Sequence, residues 1–276
     1  MDNNEKLLTA LSNYLNNDDC AITINQINKV SKIGISEERA YSLILKNYLD
    51  VDDEIFQEYF PLMVKKLDNN EFTSNPYYQN IRFKNKKCHD FELRHDMYKP
   101  YQAFVRDDFL YLNEKVIPQI GFFNKPFYYP AVYEKNRLWM SITPNEIKTM
   151  EKPLREAHGF IVTVGLGLGY YAYMASLKEE VSKVLVIEKS KDVINLFQDL
   201  ILPQFENKDK IIIKEMDVLD FLDHEMKNYA VDYIFFDIWH DASDGKKWVN
   251  ILKKYEALYP HTCFSYWIMD TIKYYL

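Results

Sequence analysis

The stretch Phe160-Ile161-Val162-Thr163-Val164-Gly165-Leu166-Gly167-Leu168-Gly169-Tyr170-Tyr171 decides how the chain is read. Its first part is a short apolar run, β-branched in character, of the length of a buried strand. Glycines then stand at alternate positions, and a helical pattern starts at Tyr170. Glycine lets the backbone turn sharply and come close to a ligand, and a helix starting there offers free N–H groups. A glycine triplet alone is weak, but this one stands between a strand and a helix, the context a nucleotide-binding loop needs. The spacing also separates two cofactors. A dinucleotide-binding GxGxxG loop puts its third glycine at position 170, which is Tyr170, so the loop here is GxGxG and a nicotinamide oxidoreductase is disfavoured.

The same alternation runs on from that loop. Apolar runs at 184–187, 211–213, 231–236 and 263–268 are separated by helical segments at 170–178, 192–200, 218–226 and 246–258. A further helix, to about residue 157, opens at Thr143-Pro144-Asn145-Glu146, which reads as a capping box with proline at the first helical position. Strand–helix alternation predicts an α/β domain over 143–276, with a doubly wound, mostly parallel sheet and helices on both faces.

Ligands of such sheets bind beyond the C-terminal ends of the strands, so the residues found there are the candidates. The second strand ends in Glu188, nineteen residues past Gly169, where a carboxylate can accept from both hydroxyls of a ribose. The third ends in Glu215-Met216-Asp217, and Asp217 is equally placed to cap the next helix. The fourth leads into Asp237-Ile238-Trp239-His240-Asp241-Ala242-Ser243-Asp244. Asp237 can hold an ammonium group or position a substrate. Histidine as a residue type titrates near neutral pH, so His240 can take a proton from a hydroxyl or amine. Asp241 belongs to the same cluster, and Asp244-Gly245 reads as a turn.

Together these features resemble the class I S-adenosylmethionine-dependent methyltransferases. The resemblance spans about half of the chain and rests on the glycine loop, Glu188 and the fourth-strand cluster. It implies a Rossmann-like fold, S-adenosyl-L-methionine as cofactor, and methyl transfer to an unidentified small-molecule substrate. It also implies that Gly165, Gly167, Gly169, Glu188, Met216, Asp217 and Asp237 bind the cofactor, Met216 packing on the adenine and Asp217 bonding its amino group. Asp237, His240 and Asp241 fall where the family keeps its catalytic residues. Tyr170 and Tyr171 are placed to line the same pocket.

Subfamily patterns narrow this. Asp237-x-Trp239-x-Asp241 is similar to the catechol O-methyltransferase pattern, whose first Asp binds Mg²⁺ with an Asp-Asn pair after the fifth strand. Here Asp270 is followed by Thr271, a poorer ligand, so no metal is expected. Spermidine-synthase-like aminopropyltransferases are the alternative. Asp241 and Asp244 echo their Asp-x-x-Asp, but the acid they keep inside the glycine loop is Leu168 here. Asn75-Pro76-Tyr77-Tyr78 is similar to the clamp of adenine and glutamine N-methyltransferases, yet no apolar strand precedes it and it reads as a turn. The family's sheet usually has seven strands and ends in an antiparallel hairpin. The sequence shows five, so either the sheet is short or the middle of the chain supplies the rest.

Residues 1–70 read as a helical region: a first helix around Leu7, Leu11 and Tyr14, a second over 23–33, a third capped by Ser36, and a fourth after Asp52 that is kinked or broken at Pro61, with helix continuing to 67. The stretch from Val30 through Ile33 and Gly34 to Ala40 and Leu43 looks like a helix-turn-helix. Its second helix opens Glu37-Glu38-Arg39 in an acidic region, which argues against DNA and for a packing or homodimerisation module. A non-catalytic S-adenosylmethionine-sensing helix-turn-helix protein is the remaining alternative. Residues 71–142 read as an aromatic-rich connector or lid with short strands, among them Phe104-Val105 and Leu138-Trp139-Met140.

The net charge of −7 divides into −6 for residues 1–75, +4 for 76–142 and −5 for 143–276, so only the middle segment is basic. Such a chain is a poor general binder of polyanions. Cys20, Cys88 and Cys263 lie far apart, and Cys88-His89 with His95 matches no metal spacing. The first residues lack a signal-peptide pattern, and no apolar run approaches the roughly 20 residues of a membrane span. A cytoplasmic protein is expected.

Overall fold

The structure, a computed structural model, describes residues 2–17, 21–32, 34–88 and 91–276, with Cys88 described by its backbone alone. Cys20, Ile33 and His89 lie outside the described residues. The chain forms two compact units, each made of two segments: Met1–Phe72 with Asp96–Tyr128, and Thr73–His95 with Tyr129–Leu276.

The chain begins with α1 (Asn3–Leu15), α2 (Ile24–Ser31), α3 (Glu37–Leu49) and α4 (Asp53–Met63). Asp2, Thr23, Ser36 and Asp52 cap them, each side chain accepting a backbone N–H of the first turn. The helix does not continue to residue 67. Pro61 sits in the last turn of α4, which ends at Met63, and Val64–Lys66 then forms a strand, β1. The short α5 (Asn69–Thr73) and α6 (Pro76–Asn80) follow, then β2 (Lys86–Cys88), β3 (Phe91–Tyr98), β4 (Phe104–Leu112), β5 (Lys115–Phe122), β6 (Phe127–Glu134) and β7 (Arg137–Ser141).

In the first unit, β1 pairs parallel with β5, which pairs antiparallel with β4. Its core gathers Leu7, Leu45, Phe60 and Ile120 around Tyr41, whose ring stacks on Phe122 at 3.8 Å. Gly34 turns the chain between α2 and α3 with φ +82°, in the left-handed region that suits glycine.

The remaining elements are α7 (Pro144–Glu156), β8 (Gly159–Val164), α8 (Tyr170–Ser176), β9 (Val181–Glu188), α9 (Lys191–Leu200), β10 (Ile211–Glu215), α10 (Val218–Asp220), β11 (Tyr233–Phe236), α11 (Ala242–Glu256), β12 (Cys263–Tyr266) and α12 (Met269–Tyr275). Five strands form one sheet in the order β10-β9-β8-β11-β12, and every neighbouring pair is parallel. The alternation read from the sequence is therefore present, with each strand at the expected place. Successive strands move outward from β8 to β10, and the chain then returns to the far side of β8 for β11. Parallel crossovers are right-handed as a rule, so connections on the two sides of such a reversal are expected to place their helices on opposite faces.

Three local expectations change. Residues 218–226 are not one α-helix: α10 passes into a π-helical turn over Phe221–Glu225 and a tight 3₁₀ turn over Met226–Asn228. Asp244-Gly245 is not a turn, because α11 already begins at Ala242. A Cβ on Gly245 would stand 2.6 Å from Ile272 Cδ1 and 3.0 Å from the Trp239 ring, so close packing explains the glycine. Asn75-Pro76-Tyr77-Tyr78 is the start of α6, with Asn75 as its cap. Among the described residues, the middle of the chain adds no strand to the parallel sheet. Its strands pair in β1-β5-β4 and β2-β3-β6-β7 instead, so the sheet is the short one. No helix among the described residues is long and apolar enough to cross a membrane.

Candidate functional site

A cavity of about 460 Å³ lies at the C-terminal ends of the parallel strands. Val164 ending β8 and Gly165 after it, Glu188 ending β9, Asp217 after β10 and Asp237 after β11 all border it. That is the place where the strand order reverses, and where open parallel sheets bind their ligands. The volume falls in the range of small-molecule sites, roughly 300–1,000 Å³.

The glycine loop forms one wall. Gly165 has φ +94°, and a Cβ there would lie 2.1 Å from the Asp237 carbonyl oxygen, so only glycine lets β8 turn this close to β11. Gly167 has φ +52°, and a Cβ there would meet nothing within 4 Å. The loop is thus open at its tip, where it borders the cavity. Gly165 N–H donates to Ile187 O at 2.9 Å and Leu166 N–H to Glu188 Oε2 at 3.0 Å, which ties the loop to the end of β9.

Glu188 is held from both sides, because Ser190 N–H donates to Oε1 at 2.8 Å. Each oxygen therefore accepts one backbone N–H and keeps lone-pair capacity for a further donor. Asp217 caps α10, accepting from Leu219 N–H at 2.8 Å, while also bordering the cavity beside Met216. Met216 N–H donates to Glu188 O at 2.9 Å, so the ends of β9 and β10 are fixed together.

A brace that the sequence reading missed holds the loop from behind. The fully buried Tyr77 of α6 donates its hydroxyl to the Leu168 carbonyl. Its ring meets Tyr170 and Tyr173 edge-on, with centroids 5.4 and 5.5 Å away. Asn75 Nδ2 donates to Tyr170 Oη at 2.9 Å, and Asn80 Nδ2 to Tyr173 Oη at 2.8 Å. Burial pushes the Tyr170 hydroxyl up to about 12, so it stays protonated. The only sequence signal was the clustering of Tyr and Asn in 75–80.

A second part of the lining is acidic and aromatic. Thr143 makes no side-chain cap bond at the start of α7, so the expected capping box is absent. Glu146 instead borders the cavity, one helical turn before Met150, which borders it too. Asp237 joins Glu146 on this wall, and neither carboxyl has a side-chain partner among the described residues. Burial raises the Glu146 carboxyl well above its ordinary range, and the neighbouring Asp237 raises it further. Burial also lifts Asp237 to about 7. By surface the two are only half-buried, because they face the cavity. Trp139, Trp248 and Trp267 also border the cavity, with Trp267 Nε1 donating to Thr149 Oγ1 at 2.8 Å. The exposed His240 sets its ring edge-on to Trp139, at 5.4 Å.

Of the residues singled out from sequence, Gly165, Gly167, Glu188, Met216, Asp217, Asp237 and His240 border this one cavity, as do Tyr170 and Tyr171. Gly169 and Asp241 are not among the bordering residues. Gly169 caps α8 and packs on Phe197, where a Cβ would approach to 2.2 Å. Asp241 caps α11, its Oδ1 accepting from Ser243 N–H at 2.8 Å and Asp244 N–H at 3.1 Å, and the Ser243 hydroxyl, donating to the same oxygen at 2.7 Å, lowers its pKa together with these bonds. Asp270 pairs with Lys273 at 2.7 Å.

No protein-family model matches the chain, and no curated protein matches it in sequence. Among solved structures it is similar to a protein assigned as an O-methyltransferase from Klebsiella pneumoniae, with 18% identity over 35% of this chain and 43% of that one and a TM-score of 0.28. It is also similar to the Trypanosoma brucei PRMT1 enzyme–prozyme heterotetramer in complex with AdoHcy, with 16% identity over 44% of this chain and 35% of that one and a TM-score of 0.29. Each match spans less than half the length of the other protein's chain.

Proposed function

We propose that the cavity binds S-adenosyl-L-methionine in a Rossmann-like domain, and that the protein transfers its methyl group to a small molecule. One observation supports this most. The open GxGxG loop after β8 and the carboxylate ending β9 border a single cavity at the reversal of strand order. The donor set fits the cofactor. Glu188 retains acceptor capacity on both oxygens for the two ribose hydroxyls. Met216 and Asp217 offer an apolar face and an acceptor for adenine, and the bare tip at Gly167 leaves room for the bound chain. When bound, the cofactor supplies an electrophilic methyl group on a positive sulfur.

The protein's own part is then alignment and proton handling. Asp237 and His240 are the residues placed for it, at the end of β11 and in the loop that follows. Asp241, committed to capping α11, holds that loop in place. The small volume and acidic wall suit a small acceptor better than nucleic acid.

Thermal unfolding tests the cofactor assignment. S-adenosylhomocysteine at about 100 times its Kd stabilises a single-site binder by about 2.7 kcal/mol. The melting midpoint should therefore rise by several degrees, with no rise for NAD. A rise with NAD and none with S-adenosylhomocysteine would overturn the assignment.

A further inference from the structure

Two carboxyls from separate elements, Glu146 on α7 and Asp237 after β11, stand on one wall of the cavity without a partner among the described residues. Holding two unpartnered, half-buried carboxylates close together is costly, because each repels the other's charge. Such a pair settles its charge with a shared proton or with a cation. Lys189, the cationic side chain bordering the cavity, follows β9, two strands away from β11. Trp139, Trp248 and Trp267 border the same cavity, and indole faces attract cations. Aromatic faces beside unpaired acids form a receptor for a positively charged nitrogen.

We infer that the wall formed by Glu146, Asp237 and the three tryptophans receives the methyl acceptor as a small amine or guanidine. This inference rests on the methyltransferase reading and names its substrate class. The acceptor enters as its cation and takes over the charge pairing. One N–H proton then passes to the carboxylate pair. The freed nitrogen lone pair forms the new N–C bond as the donor's C–S bond breaks, with that electron pair staying on sulfur. The pair must be ionised to receive the cation. The folded Asp237 titrates near 7, so affinity rises with pH across that value. The other titratable groups bordering the cavity are Glu188, Lys189, Asp217, His240, Tyr170 and Tyr171. Because His240 also borders the cavity, a His240→Gln control isolates the carboxyl contribution.

The test follows tryptophan fluorescence as butylamine, benzylamine and agmatine are titrated into the full-length protein saturated with S-adenosylhomocysteine. 1-Butanol and benzyl alcohol serve as neutral counterparts. At least one amine should bind tenfold or more tighter than the alcohols. In the His240→Gln protein that amine's affinity should be about tenfold higher at pH 8 than at pH 6, as deprotonating a group with pKa 7 requires. Glu146→Gln should abolish the preference for the amine while leaving the Kd for S-adenosylhomocysteine within twofold. Equal binding of amine and alcohol, no binding of any amine, or a Glu146→Gln variant that loses S-adenosylhomocysteine and keeps the amine would each overturn the inference. Failure of the wild type to bind S-adenosylhomocysteine at all would instead strike the methyltransferase reading beneath it.

Discussion

The two walls of the cavity handle polar groups in opposite ways. On the loop side every acid is already engaged: Glu188 accepts two backbone N–H groups and Asp217 accepts one. In the acidic part of the lining, Glu146 and Asp237 have no partner among the described residues, and burial drives both toward the protonated form. The first wall is preorganised. Its geometry is set before any ligand arrives, so it suits neutral hydroxyls and amino groups that need acceptors in fixed positions. The second wall is held away from its own best charge state and gains stability only when a proton or a cation arrives. Under the proposed reading, one cavity combines a rigid receptor for the cofactor with a wall biased toward a charged acceptor.

Breaking the rigid wall should have the largest effect. Tyr77 is fully buried, packs on Tyr170 and Tyr173, and anchors Leu168 through its hydroxyl. Tyr77→Ala should lower the unfolding free energy by about 3–5 kcal/mol, the usual cost of deleting a large buried ring. Tyr77→Phe should cost only about 1 kcal/mol, since it loses the hydrogen bond alone. Urea titration of both variants measures the difference. Equal losses would mean that the hydroxyl, not the ring, holds the loop.

Relieving the other wall should have a smaller effect of opposite sign. Asp237 titrates near 7 in the folded protein, above its unfolded value. The folded state therefore binds more protons between about pH 4 and 7, and the associated stability is lost as pH rises through 7. Asp237→Asn removes that loss. The ligand-free variant should be more stable than wild type by about 1–3 kcal/mol at pH 8, with the gap closing toward pH 4. A variant less stable than wild type at pH 8 would show that Asp237 is satisfied in the folded protein and would erase the contrast between the walls.

The two walls also differed in how far the sequence revealed them. The loop wall was legible because its signals are local. Alternate glycines after a β-branched run, and an acid at the end of the next run, need only neighbouring residues to be read. The acidic wall was not, because its signals compete with local ones. Thr143 and Glu146 have capping-box spacing, yet the cavity draws Glu146 inward and leaves Thr143 without its cap bond. The spacing of Glu146 to Met150, on one helix face, was the available hint. Asp241 lies in the polar cluster after β11, and its carboxylate accepts from the Ser243 hydroxyl at 2.7 Å and from the first N–H groups of α11. Tyr77 lies 91 residues from Leu168, a separation that no pattern along the chain can bridge.

Calorimetric titration with S-adenosylhomocysteine tests the central claim most directly. Wild-type protein should bind with a Kd in the micromolar range. Gly167→Arg should abolish binding by filling the open tip of the loop, and Glu188→Ala should weaken it about tenfold through loss of charged hydrogen bonds. Absence of binding to the wild type, or undiminished binding to Gly167→Arg, would contradict the assignment of this cavity to S-adenosylmethionine.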